Sequence, residues 1–231
     1  MIVRVGLLVI VTRRYHEFLA PLLESADRNF LPGTDVSYQV FTDRELDVRS
    51  SRSIIAHPVE HRPWPFMTLG RYGIFHSHRR SLSALDYLYY CDVDMIFESA
   101  VGQEIISDRV VVQHPGYHGR RGTPETNPAS LACVHPWEQM QYFAGGFNGG
   151  SAGCFLEMCG VLSGRIDRDL ENGVIAVWHD ESHLNRYMID NPPTKVLDPS
   201  YCCNDGWHDC PFGRRIVALT KKNPESYKNA H

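Results

Sequence analysis

Runs of β-branched and aromatic residues recur along the chain and alternate with segments whose apolar residues have helical spacing. Val3–Val11 and Val36–Thr42 are typical of buried strands, and Tyr15–Phe30 between them places apolar residues three or four positions apart. Tyr87–Cys91 and Val110–Gln113 have the same strand-like composition. Strands that alternate with helices predict an α/β fold, with a mixed but mostly parallel sheet flanked by helices.

The remaining periodic segments predict one more strand and three more helices. Arg49–His57 is typical of a short strand, and Phe66–His78 predicts a helix. In the C-terminal half, Phe155–Leu162 and Arg168–Gly173 bracket a helix, and Val177–Asp190 predicts another.

Two segments rich in glycine interrupt this pattern. Residues 116–136 predict a long loop, of the kind that is often functional in compact domains. Gly145–Gly150 predicts a second irregular stretch. We find no internal repeat, and we expect a single domain over residues 1–231 that ends in a mobile basic tail from about residue 220.

Composition limits the class of protein. A chain of 231 residues with 43% hydrophobic content can build one full core. The net charge of −4 without a block of like charge does not favour nucleic acid as a partner. No segment reaches the roughly 20 apolar residues of a membrane span, and seven irregularly spaced cysteines are typical of reduced thiols. We therefore expect a soluble cytoplasmic protein.

Asp92 and Asp94 interrupt the apolar segment Tyr87–Phe97. Ionised carboxylates are costly to bury unless a cation or hydrogen-bond donors compensate them. Two acids in a surface turn are the ordinary alternative, but the apolar flanks disfavour it. Because ligands of open α/β sheets bind beyond the carboxyl ends of strands, the pair predicts a site for a hard cation such as Mn²⁺ or Mg²⁺.

A second acidic pair, Asp180 and Glu181, stands between His179 and His183. The histidines are four residues apart and share a helix face, which is also a feature of zinc proteases. The general base of that motif is displaced here, because Asp180 stands where Glu is required. A simpler interpretation makes Asp180 a partner of the helix N-terminus.

Trp64, Thr68 and Arg71 offer an aromatic ring, a hydroxyl and a guanidinium in one predicted helical segment. Such groups can hold a base and a diphosphate. The alternative for this segment is an ordinary amphipathic helix with a solvated Arg.

The chain resembles glycosyltransferase family 6, which contains the blood group A and B transferases and the α1,3-galactosyltransferase. The resemblance covers most of the sequence and is strongest at Tyr87–Phe97 and Ala176–Asn185, with Pro193–Leu197, Pro199 and Tyr201. It implies a GT-A fold and a short, soluble member of microbial or viral type. It also implies transfer of N-acetylgalactosamine or galactose from a UDP donor to the 3-hydroxyl of a galactose-type acceptor, with retention of the α configuration.

The resemblance also implies roles for individual residues. Asp92 and Asp94 match the family's metal-binding motif and would hold Mn²⁺, with Mg²⁺ as the alternative, against the UDP diphosphate. Glu181 would face the anomeric carbon, while Asp180 and Arg71 would contact the donor sugar. The residues expected to contact the nucleotide are Ile10, Val11, Tyr15, Trp64, Thr68, Val93, Lys222 and Lys228.

The choice of donor sugar is expected at Ala144, Gly145 and Gly146. A glycine at the third place leaves room for an N-acetyl group, whereas alanine would crowd it. A change of this size discriminates by about 1–3 kcal/mol. We expect UDP-GalNAc as donor, followed closely by UDP-galactose.

The acceptor side resembles the family less closely. Gln113, His114, Trp178 and His179 are the expected acceptor contacts. The family has an acidic residue in the acceptor site. In this chain either Asn204 replaces it or it is shifted to Asp205, and Cys203 stands in place of a tryptophan. The loop 117–136 also lacks a family motif. A UDP-sugar hydrolase that uses the same site is therefore the alternative function, ahead of a zinc protease and a sugar-binding module without activity.

Overall fold

The computed structural model describes residues 2–138, 140–221, 224 and 227. Strands in this part of the chain are β1 Arg4–Val11, β2 Asp35–Thr42, β3 Ser53–Pro58, β4 Tyr87–Cys91, β5 Met95–Phe97, β6 Val110–Gln113, β7 Phe143–Ser151, β8 Lys195–Leu197, β9 Cys203–Asn204 and β10 Ile216–Ala218. The α-helices of the same part are α1 His16–Asn29, α2 Phe66–Leu69, α3 Arg71–Ser77, α4 Arg79–Leu82, α5 Ala152–Glu171 and α6 His179–Asp190.

Seven of the strands form one sheet in the order β3-β2-β1-β4-β7-β6-β8. The pairs β2–β3, β1–β2, β1–β4 and β6–β8 are parallel, whereas β7 runs antiparallel to both of its neighbours. The sheet is therefore mixed and mostly parallel, which confirms the predicted fold class. A smaller sheet has the order β5-β10-β9. Its strand β5 comes soon after β4 along the chain, whereas β9 and β10 come from the C-terminal part.

The two faces of the sheet carry separate hydrophobic clusters. On one face, Leu7 and Val9 of β1 are fully buried in the cluster that contains Leu22 of α1. On the other face, Leu8 is fully buried in the cluster that contains Phe155 of α5. Because successive strand residues point to opposite faces, a sheet covered on both sides produces the near-continuous apolar run that the sequence shows.

The glycine-rich stretch Gly145–Gly150 was predicted to be irregular, and this prediction is wrong. The stretch forms most of β7, an interior strand of the sheet. Glycine is disfavoured in strands because it has no side chain to pack, so its local preference pointed away from the observed structure. Here close packing requires it: a Cβ at Gly149 would lie 2.4 Å from the Leu88 carbonyl oxygen and 2.4 Å from Tyr89 Cδ1.

The predicted helix over Phe66–His78 is divided into α2 and α3 at Gly70. The Gly70 amide still donates to the Phe66 carbonyl at 2.9 Å, so the chain changes direction without leaving a helical path. The predicted loop over residues 116–136 is largely confirmed, because residues 118–136 contain neither helix nor strand, while Gly116 and Tyr117 belong to the short 3-10 helix Pro115–Tyr117. Within the described ranges, no helix combines the length and apolar character needed to cross a bilayer.

Candidate functional site

A cavity of about 330 Å³ opens where β1 and β4 end. This is the edge of a parallel sheet at which α/β proteins bind their ligands, because strand ends and the following loops converge there. The residues that line it are Ile10, Thr12, Tyr15, His61, Arg62, Trp64, Met67, Thr68, Arg71, Tyr90, Asp92, Val93, Asp94, Lys221, Pro224 and Tyr227.

Most of the residues predicted from the sequence to contact the nucleotide or metal meet in this cavity. Among the predicted contacts that the structure describes, Val11 is the exception, because it is fully buried in the core while Ile10 and Thr12 line the cavity. The alternation of side chains along β1 therefore corrects the assignment of Val11. The predicted contacts that the structure brings to the cavity wall are Ile10, Tyr15, Trp64, Thr68, Arg71, Asp92, Val93 and Asp94.

The first acidic pair lies in the turn that follows β4. The Asp92 amide donates to the Gly146 carbonyl at 2.8 Å, which fixes this turn against β7, and the Tyr90 hydroxyl donates to the Asp92 carboxylate. Asp94 Oδ2 lies 2.6 Å from the Lys221 ammonium. Burial and the neighbouring Asp92 charge raise the pKa of Asp94, although Lys221 opposes this.

The donor set suits a hard divalent cation. Asp92 and Asp94 present carboxylate oxygens to one cavity, and the ammonium of Lys221 beside Asp94 shows that a positive charge fits there. The described residues contain no cluster of three or more His, Cys, Asp or Glu side chains with metal-binding geometry. Two carboxylates leave the other coordination positions to water and to ligand oxygens, which is the usual arrangement of a cation that binds with a phosphate-bearing ligand.

A buried ion pair connects the two acidic segments. Arg71, at the start of α3, places its Nε 3.0 Å from Asp180 Oδ2 and its Nη2 3.4 Å from Asp92 Oδ1. Its guanidinium also lies 4.4 Å from the centre of the Tyr90 ring. Burial would lower the pKa of Arg71, but the carboxylate charges, that of Asp180 above all and then that of Asp92, outweigh it and raise the pKa, so Arg71 stays charged.

Asp180 and Glu181 occupy the first turn of α6, where the helix dipole favours negative charge. Burial nevertheless raises the pKa of Asp180 to about 6, against the opposing effect of Arg71. Burial also raises the pKa of Glu181 to about 7, although the Gly145 amide donates to Glu181 Oε2 at 2.8 Å. Glu181 is therefore a carboxyl group whose charge changes near neutral pH.

The backbone around this turn holds the two acids in place. His179 adopts a left-handed conformation with φ of 53°, which turns the chain sharply into α6. Such strained residues are concentrated at functional sites. Asn185 accepts from the Phe143 amide at 2.8 Å and donates to the Glu181 carbonyl at 2.9 Å, so α6 is bound to the central strand β7.

The two histidines of this segment do not converge on one point. The His179 ring packs edge-on against Trp64, with centroids 5.0 Å apart. His183 is buried, with its Nε2 3.5 Å from Asp169. Burial lowers the pKa of His183 to about 4, although Asp169 opposes this. The zinc-protease alternative therefore lacks the paired geometry that it requires.

The expected acceptor residues do not all share one contact: His114 packs beside Tyr142, whereas the His179 ring packs against Trp64. Gln113 ends β6, and the next residue, His114, donates its backbone amide to the Tyr142 carbonyl at 2.9 Å. The His114 and Tyr142 rings lie 5.6 Å apart, and the Tyr142 hydroxyl is close enough to Glu181 to lower the pKa of that carboxyl. Trp178 is 46% exposed and donates from its indole to Thr123 Oγ1 at 2.8 Å.

Ala144, Gly145 and Gly146 lie buried in β7 between the two acidic pairs. A Cβ at Gly145 would lie 3.4 Å from Glu181, and a Cβ at Gly146 would lie 3.1 Å from Asp92 Oδ2. The segment predicted to choose the donor sugar thus separates Glu181 from the first acidic pair.

Sequence reasoning missed several residues of the cavity. Tyr90 looked like a core residue of β4, yet its hydroxyl reaches Asp92. Lys221 looked like one of several charges in a basic tail, and only the fold brings it to Asp94. Lys222 and Lys228, the cations predicted from the resemblance, lie outside the described residues. The other cavity residues missed from the sequence are Thr12, His61, Arg62, Met67, Pro224 and Tyr227.

Several known proteins are similar to this chain over most of its length. Histo-blood group ABO system transferase 2 of Rattus norvegicus is 35% identical over 240 residues, covering 97% of this chain and 71% of that protein. Histo-blood group ABO system transferase 1 of the same species is 36% identical, with 97% and 68% coverage. Globoside alpha-1,3-N-acetylgalactosaminyltransferase 1 of Homo sapiens is 34% identical over 212 residues, with 87% and 61% coverage.

The family model described as Glycosyltransferase family 6 matches residues 1–228, which is nearly the whole chain. The match includes every element that contributes to the cavity. The chain therefore belongs to glycosyltransferase family 6 and is a hexosyltransferase.

Proposed function

We propose that this enzyme is a retaining, metal-dependent transferase that moves N-acetylgalactosamine, or galactose, from a UDP donor to the 3-hydroxyl of a galactose-type acceptor. The observation that carries the proposal is the connection of both acidic pairs through Arg71 at the edge of one cavity. Asp92 and Asp94 suit a cation and a diphosphate, whereas Asp180 and Glu181 suit a sugar. The bond between the diphosphate and the sugar is therefore the one to be broken.

Asp92 and Asp94 would hold the divalent cation, which when bound stabilises negative charge on a departing diphosphate. The rest of this end of the cavity suits a nucleotide. Tyr15 and Trp64 offer aromatic surfaces, and Val93 lies between the two carboxylates. Apolar and aromatic walls with a few polar groups are typical of sites that bind a base and a ribose.

Arg71 and Asp180 orient the donor sugar. The Asp180 carboxylate is buried, and its Oδ2 lies 3.0 Å from Arg71 Nε, so the ion pair holds an acceptor for a sugar hydroxyl. A carboxylate fixed by a buried guanidinium has little freedom to rotate, so it holds a sugar hydroxyl in one position. The sugar then presents its anomeric carbon to Glu181, the next residue of the same helical turn.

Glu181 acts on the anomeric carbon in its carboxylate form. Departure of UDP leaves positive charge on the sugar ring, and a carboxylate on the opposite face stabilises that charge or captures the carbon. The acceptor hydroxyl then approaches from the face that UDP has left, which retains the α configuration. The Gly145 amide, at 2.8 Å, holds the Glu181 carboxylate in position for this role.

N-acetylgalactosamine is the favoured sugar. Gly146 has no side chain, and the space that a Cβ would take borders Asp92 and Met95. A relative named as a globoside alpha-1,3-N-acetylgalactosaminyltransferase supports the same choice. The acceptor is expected against Trp178 and His114, on the Tyr142 side of Glu181.

The test is turnover of UDP-GalNAc and UDP-galactose, with Mn²⁺ or with EDTA, and with or without a fucosylated galactoside acceptor. We expect Mn²⁺-dependent formation of a glycosylated acceptor and faster reaction with UDP-GalNAc. UDP release that does not depend on any acceptor would instead favour a UDP-sugar hydrolase. No UDP release under any of these conditions would contradict the proposal.

A further inference from the structure

The turn between β9 and β10 brings two thiols into direct contact. Cys203 Sγ and Cys210 Sγ lie 2.6 Å apart, across a turn of eight residues. Cys203 is fully buried, whereas Cys210 is half-buried and open to small reagents. Among the described residues, no other pair of cysteine sulfurs makes such a contact.

The turn holds this geometry through contacts that do not involve sulfur. Arg214 donates from Nη1 to the Trp207 carbonyl at 3.0 Å, while its Nη2 lies 2.7 Å from Glu98 Oε1. The Trp207 amide donates to the Asn204 carbonyl at 3.0 Å. Because the backbone between the two cysteines is already fixed, joining the sulfurs requires little movement.

We propose that Cys203 and Cys210 are an oxidation site at which a low-molecular-weight disulfide, such as oxidised glutathione, forms an intrachain disulfide bond. The inference is independent of the transferase mechanism. All seven cysteines are free thiols in this structure, as the composition predicts, and the proposal concerns what an oxidant does to this pair. The reaction is thiol–disulfide exchange, which needs one accessible thiol and a second thiol within reach.

The reaction proceeds in two exchanges. The Cys210 thiolate attacks one sulfur of oxidised glutathione, which forms a mixed disulfide and releases one glutathione thiolate. The Cys203 thiolate then attacks Cys210 Sγ, which forms the protein disulfide and releases the second glutathione. Two protein thiols are oxidised, one glutathione disulfide is reduced, and the two thiol protons pass to the released glutathiones.

The order of attack follows from the surroundings of the two sulfurs. Burial, together with the hydrogen bond to Cys210, raises the pKa of Cys203 to about 12. Cys203 is thus a poor first nucleophile, because the thiolate is the reactive form. As the second nucleophile it has the advantage of lying beside the sulfur that it attacks.

The bond would constrain a turn that is connected to the cation site. Asp205, inside the turn, accepts from the Thr220 amide at 2.8 Å. The preceding amide, of Leu219, donates to the Asp94 carbonyl at 2.7 Å. Oxidation would therefore stabilise the chain segment that lies against Asp94, and reduction would loosen it.

The experiment compares full-length wild type with C203S, C210S and C202S after treatment with oxidised glutathione and removal of the reagent. C202S is the matched control, because Cys202 is the neighbour of Cys203 in sequence. In wild type we expect five of the seven thiols to react after denaturation, and a peptide that joins Cys203 to Cys210. C202S should retain this cross-link, and both C203S and C210S should lose it.

Thermal unfolding gives a second readout that does not depend on peptide recovery. Closing a ring of this size predicts that reduction lowers the Tm of oxidised wild type by about 5 °C. The Tm of C210S should not respond to reduction. Seven reactive thiols after oxidation, a cross-link to Cys202, or a stable glutathione adduct on Cys210 beside a free Cys203 would each overturn the proposal.

Discussion

At the scale of single residues, the sequence singled out the acidic residues of the candidate site but not the contacts that join them. Asp92 and Asp94 stood out because acids inside an apolar segment need a reason to be there. Asp180 and Glu181 stood out because they lie between two histidines. The Arg71–Asp180 ion pair joins residues more than 100 positions apart and has no local signal in the sequence. Such a contact becomes visible only when the fold is known.

Glu181→Gln removes the carboxylate that we propose faces the anomeric carbon, while keeping the size of the side chain. We expect kcat to fall by about 10²–10⁴-fold, since a neutral amide cannot stabilise or capture the developing positive charge. UDP affinity, measured by calorimetry, should stay within about twofold, because in the proposed mechanism the nucleotide binds at the other acidic pair. Glu157→Gln, on the exposed face of α5, is the control, and unchanged turnover of Glu181→Gln would remove this residue from the mechanism.

The pH dependence of kcat/KM follows from the same carboxyl group. The free enzyme has the pKa of Glu181 raised to about 7, so the reactive carboxylate predominates above that value and is lost below it. We expect kcat/KM to fall about tenfold for each pH unit below the transition. A profile that stays flat from pH 8 to pH 5, where the protein remains folded, would be inconsistent with this role.

Gly146→Ala tests the choice of donor sugar. The added Cβ would lie 2.9 Å from Met95 Cε and 3.1 Å from Asp92 Oδ2, so it takes space at the donor site. We expect the ratio of kcat/KM for UDP-GalNAc over UDP-galactose to fall by about 10–200-fold. Gly153→Ala, where an added Cβ meets nothing within 4 Å, serves as control, and an unchanged ratio for Gly146→Ala would refute the role of this position.

At the scale of elements, long periodic segments and apolar strands as short as β6 were predicted, whereas the glycine-rich strand β7 and the three-residue strand β10 were not. α1, α5 and α6 follow the apolar spacing of the sequence. β7 was missed because its glycines are required by packing against β4, an interaction that no local pattern encodes. β10 is a strand of three residues, too short for periodicity to reveal, yet it leads directly to Lys221.

Lys221, three residues after the end of β10, gives a prediction about metal affinity. Lys221 Nζ lies 2.6 Å from Asp94 Oδ2, so this ammonium competes with a divalent cation for the same carboxylate. We expect Lys221→Gln to bind Mn²⁺ about 5-fold more tightly in the absence of UDP, as expected for loss of a competing ion pair worth about 1 kcal/mol.

Electron paramagnetic resonance of free Mn²⁺ measures this affinity without any turnover. Lys195→Gln, which removes the same charge from β8, controls for net charge. Equal Mn²⁺ affinity in wild type and Lys221→Gln would show that Lys221 does not compete for Asp94.

At the scale of the whole molecule, alternating strands and helices were enough to predict the fold class, because only a sheet covered on both faces buries all of these segments. The sheet order and the two antiparallel pairs of β7 depend on long-range packing and were not predictable from local patterns. The acceptor side differs most from the family resemblance, and its loop 117–136 has the least regular structure of the described chain. We therefore propose that donor chemistry depends on the sheet and that acceptor recognition depends on the loops around it.

The most direct test of the account is the structure of the product formed from UDP-GalNAc, Mn²⁺ and a fucosylated galactoside, determined by proton NMR during the reaction. The account predicts that the first product carries N-acetylgalactosamine in α linkage on the 3-hydroxyl of the galactose. A β-linked product, or free N-acetylgalactosamine as the sole sugar released, would contradict it.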